Sequence, residues 1–165
     1  MKLFRIAKAR HIEDLTGEGA RLNANRWNEK GTAVIYTSQS LSLAALEYLV
    51  HLPIVLAPAL MYRIFEVPDE VKFSRVRTSS LPRGWNAMPF QDETSRMGSA
   101  WVKGGKTLML RVPSVIVPGE FNFILNPGHL AFGKVKPGRP RPFIFDERIL
   151  GRIRNSQEKK NAGRH

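Results

Sequence analysis

The chain of 165 residues has no cysteine, and its acidic residues are few. Without cysteine there is no disulfide bond, no thiolate nucleophile and no cysteine-ligated metal. The longest apolar run, residues 52–61, contains two prolines and is shorter than a membrane-spanning helix. Residues 1–15 lack the apolar core of a signal peptide. These absences favour a soluble, cytoplasmic protein that is not attached to a membrane.

Several catalytic signatures are absent as well. No strand is followed by GxGxxG or by a P-loop, and there is no GxSxG elbow or HExxH helix. The histidines do not have the spacing of metal ligands: His11, His51, His129 and His165. We therefore predict no metal site and no hydrolase of the serine type.

Positive charge dominates the composition. The chain has 26 Lys and Arg against 14 Asp and Glu, which gives a net charge of +12. Such a balance indicates an anionic partner, which could be nucleic acid, a phosphorylated ligand or an acidic protein. Basic residues concentrate at positions 134–141 and in a tail, residues 151–165.

Hydrophobic periodicity predicts an α+β domain over residues 1–150, with a mixed or mostly antiparallel sheet and a few helices. The strands and helices do not alternate as they do in a doubly wound fold. The turn at residues 16–19 is followed by a polar loop, and Asp92 is a plausible cap for its helix. The predicted strands are residues 2–7, 32–37, 60–67, 72–78, 107–112, 121–125 and 143–145; the predicted helices are residues 41–52, 91–102 and 147–153.

Residues 17–51 read as a candidate site. A loop rich in Gly and Asn contains Arg26, whose planar guanidinium suits a phosphate or carboxylate, although it could also be a surface residue or pair with Glu29. The next strand ends near Tyr36, which could contact a ring or belong to the core. The helix after it is apolar on nearly every side, which predicts burial.

One acid, Glu47, lies on that apolar helix. A buried glutamate needs a partner or a cleft. It could stabilise a cationic transition state, or form a structural ion pair with Arg5 or Arg63. Further along, Ser114 follows a proline between two apolar segments and could bond a sugar hydroxyl or an amide, or simply belong to a turn.

These residues lie in motifs that resemble the RES-domain family of toxins from bacterial toxin–antitoxin pairs. The family is named for an Arg, a Glu and a Ser, which correspond to Arg26, Glu47 and Ser114. The resemblance covers nearly all of residues 1–150. The matching segments are Leu3-Phe4-Arg5-Ile6, Gly17-Glu18-Gly19-Ala20, Asn25-Arg26-Trp27-Asn28, Val34-Ile35-Tyr36-Thr37-Ser38, Ala44-Ala45-Leu46-Glu47, Arg111-Val112-Pro113-Ser114, Asn126-Pro127-Gly128-His129 and Pro142-Phe143-Ile144-Phe145-Asp146.

The resemblance implies a fold related to that of ADP-ribosyltransferase toxins, with NAD as substrate and no other cofactor. It implies cleavage of the nicotinamide–ribose bond, by hydrolysis, by phosphorolysis or by transfer of ADP-ribose to a protein. It also implies a hetero-oligomer with a helix-turn-helix antitoxin, through which alone the complex would contact operator DNA.

The residue roles that follow are expectations. Glu47 would stabilise the oxocarbenium ion, Arg26 would hold the pyrophosphate and Tyr36 would stack on nicotinamide. Ser114 would bond the amide or the ribose, and Arg5 would be a weaker second anion contact. The alternative is a basic RNA-directed toxin or nucleic-acid-binding module, which would use Arg26 but gain nothing from Glu47.

Overall fold

Alternation of apolar and polar residues produces the strands of one mixed sheet. The computed structural model describes residues 1–51 and 59–152, so the predicted helix end at Leu52 and most of the basic tail lie outside the described residues. The strands are β1 (Lys2–Lys8), β2 (Ile35–Ser38), β3 (Leu60–Glu66), β4 (Phe73–Arg75), β5 (Met109–Pro113), β6 (Phe121–Leu125), β7 (Lys136–Pro137) and β8 (Arg141–Phe143).

The helices are α1 (Glu18–Leu22), α2 (Leu41–Leu49) and α3 (Asp92–Gly104). Short 3-10 turns occupy Ala9–His11, Thr78–Ser80 and Leu130–Lys134, and residues 147–152 are helical. None of the helices in the two described ranges is long and apolar enough to cross a membrane.

The sheet runs in the order β4-β5-β6-β2-β1-β3-β7, and β8 also pairs with β3. Among the described strands only β4 and β5 pair in parallel, and the other pairs are antiparallel. This arrangement confirms the predicted α+β class and the mixed sheet. Neighbouring strands place Ser38 of β2 opposite Asn122 of β6, and Asn122 opposite Val112 of β5.

Successive side chains of a strand point to opposite faces of the sheet. Each face of this sheet carries an apolar cluster. One face carries a core cluster that includes Leu3, Ile35, Phe65, Met109 and Leu125. The other face carries a cluster of Trp27, Val34, Leu110, Val112 and Ile124. On that second face, α2 packs against β1 and β2, and its residues Ala45, Tyr48 and Leu49 join a third cluster around Leu60 and Phe145.

The burial predicted for α2 is wrong in part. Ser40 caps the helix, since its side chain accepts a hydrogen bond from the Leu43 backbone N–H at 3.1 Å. Only Leu43 and Ala44 are buried, whereas Leu46 is 41% and Val50 is 54% exposed. The helix contacts the sheet along one side only, so its apolar composition does not bring burial all round.

Several element boundaries also differ from the sequence predictions, among them the strands predicted at residues 72–78 and 143–145, which are Phe73–Arg75 and Arg141–Phe143. The predicted turn at 16–19 gives way to α1 at Glu18, after Gly17 with φ of 75°. The strand expected from residue 32 begins at Ile35, because Ile35 lies opposite Leu125, the last residue of β6, and the residues before it have no partner on that strand. Asp92 does not cap α3 but is its first residue, where it forms an ion pair with Arg96.

Candidate active site

The loop between α1 and β2 is organised by the buried side chain of Asn28. Its amide Nδ2 donates to the carbonyls of Ala20 and Asn23, at 2.8 and 3.0 Å. Its Oδ1 accepts a hydrogen bond of 2.8 Å from the hydroxyl of Tyr36 on β2. The loop is therefore fastened to the strand beside it, and Arg26 is presented from a fixed backbone.

Tyr36 is tied to this loop through its hydroxyl. Besides donating to Asn28, the hydroxyl accepts a hydrogen bond from the backbone N–H of Trp27 at 3.2 Å. Burial raises the pKa of Tyr36, so the phenol stays protonated. Its ring packs against the cluster around Trp27 and Ile124. Tyr36 therefore helps to hold the loop in place. The predicted stacking of Tyr36 on a ligand ring stays a prediction.

Arg26 is held by the loop of residues 79–90. Its guanidinium donates to the carbonyl oxygens of Trp85 and Ala87, the latter at 3.0 Å, and the rings of Trp27 and Trp85 lie 6.4 Å apart. No carboxylate of residues 1–51 or 59–152 lies within 4.0 Å of it, Glu29 included. A cation without an acidic partner can still bind an anion.

The charge of Arg26 is coupled to that of Glu47. Burial lowers the pKa of Arg26, while the negative charge of Glu47 acts in the opposite direction. The two side chains therefore lie near enough to interact without forming an ion pair.

Glu47 projects from α2 toward the ends of β5 and β6. Its Oε1 accepts two hydrogen bonds, of 2.8 Å from the Ser114 hydroxyl and of 2.6 Å from the Asn122 amide. The structural ion pair with Arg5 or Arg63 is not formed, since Arg63 pairs with Glu13 at 2.9 Å. Glu47 is held by neutral donors, so its negative charge is not cancelled.

Ser114 is buried, and its hydroxyl is fully occupied. It donates to Glu47 and accepts from the backbone N–H groups of Ile116 and Val117, both at 3.0 Å. A serine hydroxyl has one donor and two acceptor positions, and all are in use. Ser114 therefore orients Glu47 directly, and its predicted contact with an amide or ribose stays a prediction.

The structure does not bring Arg5 together with the other candidates. Arg5 pairs with Arg63 across β1 and β3 and shares the face of Leu3 and Phe65, opposite to the face on which α2 packs. Its guanidinium donates to the carbonyls of Asp14 and His11, at 2.6 and 3.3 Å. Arg5 fastens the loop after β1, and we leave it out of the candidate site.

Sequence reasoning missed Asn122 and Ser38. Asn122 donates to Glu47, and its Oδ1 in turn accepts a hydrogen bond of 2.6 Å from the Ser38 hydroxyl. The signal was present in the segment Phe121–Leu125, where one asparagine interrupts an apolar strand. A polar residue at such a position needs a hydrogen-bonding partner, and that partner comes from an element distant in sequence.

The fold and the site together define a class of protein. An arginine, a tyrosine, a glutamate and a serine converge on one face of a mixed sheet, beside a helix that carries the glutamate. Residues 2–146 match the family described as the RES domain. The chain belongs to this RES-domain family, which confirms the resemblance drawn from the sequence.

Curated relatives are toxins by name. The chain is 40% identical over 147 residues to the "Prs ADP-ribosylating toxin" of Sphingobium sp. (strain YBL2), covering 87% of this chain and 91% of the relative. It is 36% identical over 152 residues to "Toxin Res" of Yersinia enterocolitica, covering 90% and 99%. These identities over nearly full length place the chain among toxins of this family.

A solved structure shares the fold. A chain in the crystal structure of the M. tuberculosis MbcT–MbcA toxin–antitoxin complex superposes with a TM-score of 0.68. The match covers 93% of this chain and 88% of that one, at 18% sequence identity. At such identity the likeness concerns the fold.

Proposed function

We propose that this protein is an NAD-consuming toxin that breaks the bond between nicotinamide and ribose. One observation carries the proposal: the Glu47 carboxylate is fixed by neutral donors, and the nearby Arg26 pairs with no carboxylate of residues 1–51 or 59–152. A dinucleotide needs both features, because its pyrophosphate is anionic and its ribose becomes cationic as the bond breaks.

The chemistry at Glu47 follows from the charge that develops. The electron pair of the carbon–nitrogen bond leaves with nicotinamide, which departs as a neutral molecule, so that no general acid is required. Positive charge then builds on the ribose as an oxocarbenium ion, as in glycoside cleavage. A preoriented carboxylate stabilises that charge without reorganising.

Arg26 supplies the anion contact. Its guanidinium can bind the pyrophosphate by charge-assisted hydrogen bonds, and the two carbonyls that hold it fix its direction. Tyr36 keeps the Arg26 loop against β2. The acceptor of the ADP-ribose could be water, phosphate or a protein side chain, and the name of the Sphingobium relative favours transfer to a protein.

The partner would be an antitoxin, as in the complex to which the shared fold belongs. We propose a hetero-oligomer with a helix-turn-helix antitoxin, through which any contact with operator DNA would be made. A net charge of +12 suits an acidic partner segment as well as an NAD phosphate.

The test is incubation of the purified protein with NAD, with and without phosphate, while nicotinamide release is followed by NMR. Release supports the proposal, and the companion product (ADP-ribose, or its 1″-phosphate) identifies the acceptor. Without release, labelled NAD in a cell lysate tests transfer to a protein. Absence of both would overturn the proposal and favour the nucleic-acid alternative.

A further inference from the structure

A continuous chain of hydrogen bonds runs behind the acid of the site. Ser38 donates to the Oδ1 of Asn122 at 2.6 Å, and the Nδ2 of Asn122 donates to the Oε1 of Glu47 at 2.6 Å. Ser38 and Asn122 are direct partners across β2 and β6. Two neighbouring strands, β2 and β6, therefore support one carboxylate on α2.

The polarity of this chain is fixed by chemistry. An ionised carboxylate can only accept hydrogen bonds, so Asn122 must turn its NH2 group toward Glu47. Its carbonyl oxygen then faces Ser38, whose hydroxyl must donate. Neither side chain can reverse its orientation without placing two acceptors together, and the amide is thereby locked in one rotamer.

Both donors converge on the same oxygen. Oε1 accepts from Asn122 and Ser114, whereas no side chain or backbone group of residues 1–51 or 59–152 donates to Oε2. Oε2 is not among the buried unpaired atoms of the described residues, which lie on Arg111 and Glu120, so it is not fully buried. One oxygen of Glu47 is anchored to the protein, and the other is available to a ligand.

We propose that Asn122 is a positioning residue, which together with Ser114 clamps Oε1 so that Oε2 faces the ribose. Ser38 supports it by fixing the direction of the amide. This inference deepens the proposed function and rests on it for the identity of the substrate. The clamp itself is a property of the free protein and can be measured without turnover.

The first measurement is the NMR chemical shift of the side-chain carboxyl carbon of Glu47 at one fixed pH. That chemical shift responds to hydrogen bonds at the carboxylate, so the loss of one donor in Asn122→Ala should move it from its wild-type position. Ser38→Ala keeps the donor itself and should give a smaller change. Arg26 and Tyr36 are unchanged in both variants, so the difference comes from the amide of Asn122.

Thr37→Val is the matched control. Thr37 also lies on β2 and donates to β6, to the Phe123 carbonyl at 2.6 Å, but its side chain is on the opposite face of the sheet. The variant loses a hydroxyl hydrogen bond of the same strand pair without touching the clamp. It should lose stability while leaving the carboxyl resonance of Glu47 as in the wild type.

Turnover of NAD gives the second measurement. Misorienting Glu47 affects the transition state more than substrate binding, so Asn122→Ala should lower kcat by roughly 10-fold or more with little change in KM. Rescue by a donor of similar reach, in Asn122→Gln, would further support the clamp.

An unchanged carboxyl resonance of Glu47 in Asn122→Ala would overturn the inference, as would equal changes of that resonance in Ser38→Ala and Thr37→Val. If Asn122→Ala does not fold, Ser38→Ala against Thr37→Val decides. A wild-type protein that releases no nicotinamide and modifies no protein would instead refute the proposed function, while the NMR comparison still decides whether the clamp exists.

Discussion

Glu47 and Arg26 carry opposite charges that interact without neutralising each other. Each is held by neutral groups, the carboxylate by a hydroxyl and an amide and the guanidinium by two carbonyls. A direct ion pair between them would fill the space a ligand needs. Their separation is therefore consistent with a binding site for a molecule that has anionic and cationic parts.

Glu47→Gln should keep the fold and lower NAD cleavage by about 100-fold or more, because the amide cannot stabilise an oxocarbenium ion by charge. Nicotinamide release measures the effect, and circular dichroism checks folding. Glu29→Gln is the control, since Glu29 is an exposed glutamate in the loop between α1 and β2. Equal turnover in Glu47→Gln and wild type would remove Glu47 from the mechanism.

Arg26→Ala should weaken NAD binding by roughly 10- to 100-fold, the value of a charge-assisted hydrogen bond. Arg26→Lys keeps the charge but loses the planar guanidinium, so its affinity for NAD should lie between those of the wild type and Arg26→Ala. Arg21→Ala serves as control, because Arg21 is already paired with Glu18 at 2.6 Å. Calorimetry that finds the same affinity in Arg26→Ala and Arg21→Ala would contradict the assignment.

The elements around the site bring together segments that are far apart in sequence. The loop before β2 is packed on α3, where the Cα of Gly98 lies against the backbone of Trp27. A Cβ atom at position 98 would stand 2.0 Å from the Trp27 carbonyl oxygen. Only glycine at position 98 allows this close approach, which fixes the position of Trp27, the residue next to Arg26.

Gly98→Ala should therefore destabilise the protein by about 3 kcal/mol or more, since backbone must move to admit the methyl group. Gly104→Ala, on the same helix, meets nothing within 4 Å and should stabilise by about 0.5 kcal/mol. Chemical denaturation of both variants gives the comparison. Equal stabilities would show that α3 and the loop are not packed as described.

For the whole molecule, the division into a domain of residues 1–150 and a basic tail is a prediction from the sequence. The family match ends at residue 146, and the tail that follows adds four basic residues beyond position 152. We expect a chain lacking residues 153–165 to keep the NAD turnover and the melting temperature of the full chain. Loss of turnover at unchanged melting temperature would assign the tail to the site.

Much of the architecture could be read from local patterns. The strands β1, β3, β5 and β6 follow alternating or continuous apolar runs, and Ser40 and Gly105 mark helix ends through cap chemistry. The patterns failed where tertiary contacts decide. The start of β2 depends on where its partner β6 ends, at Leu125, and the burial of α2 depends on which side meets the sheet.

The sequence by itself determined the α+β class, the family and the candidates Arg26, Glu47 and Ser114, because composition, periodicity and short motifs are local. Only the tertiary structure decided how they meet. Arg5 lies on the other face of the sheet, and the Tyr36 hydroxyl is hydrogen-bonded to the loop that contains Arg26. Glu47 is hydrogen-bonded to Ser114 and Asn122, which are 67 and 75 positions away in the sequence. Hydrogen-bond partners so distant in sequence are chosen by strand register and helix packing, which no local pattern contains.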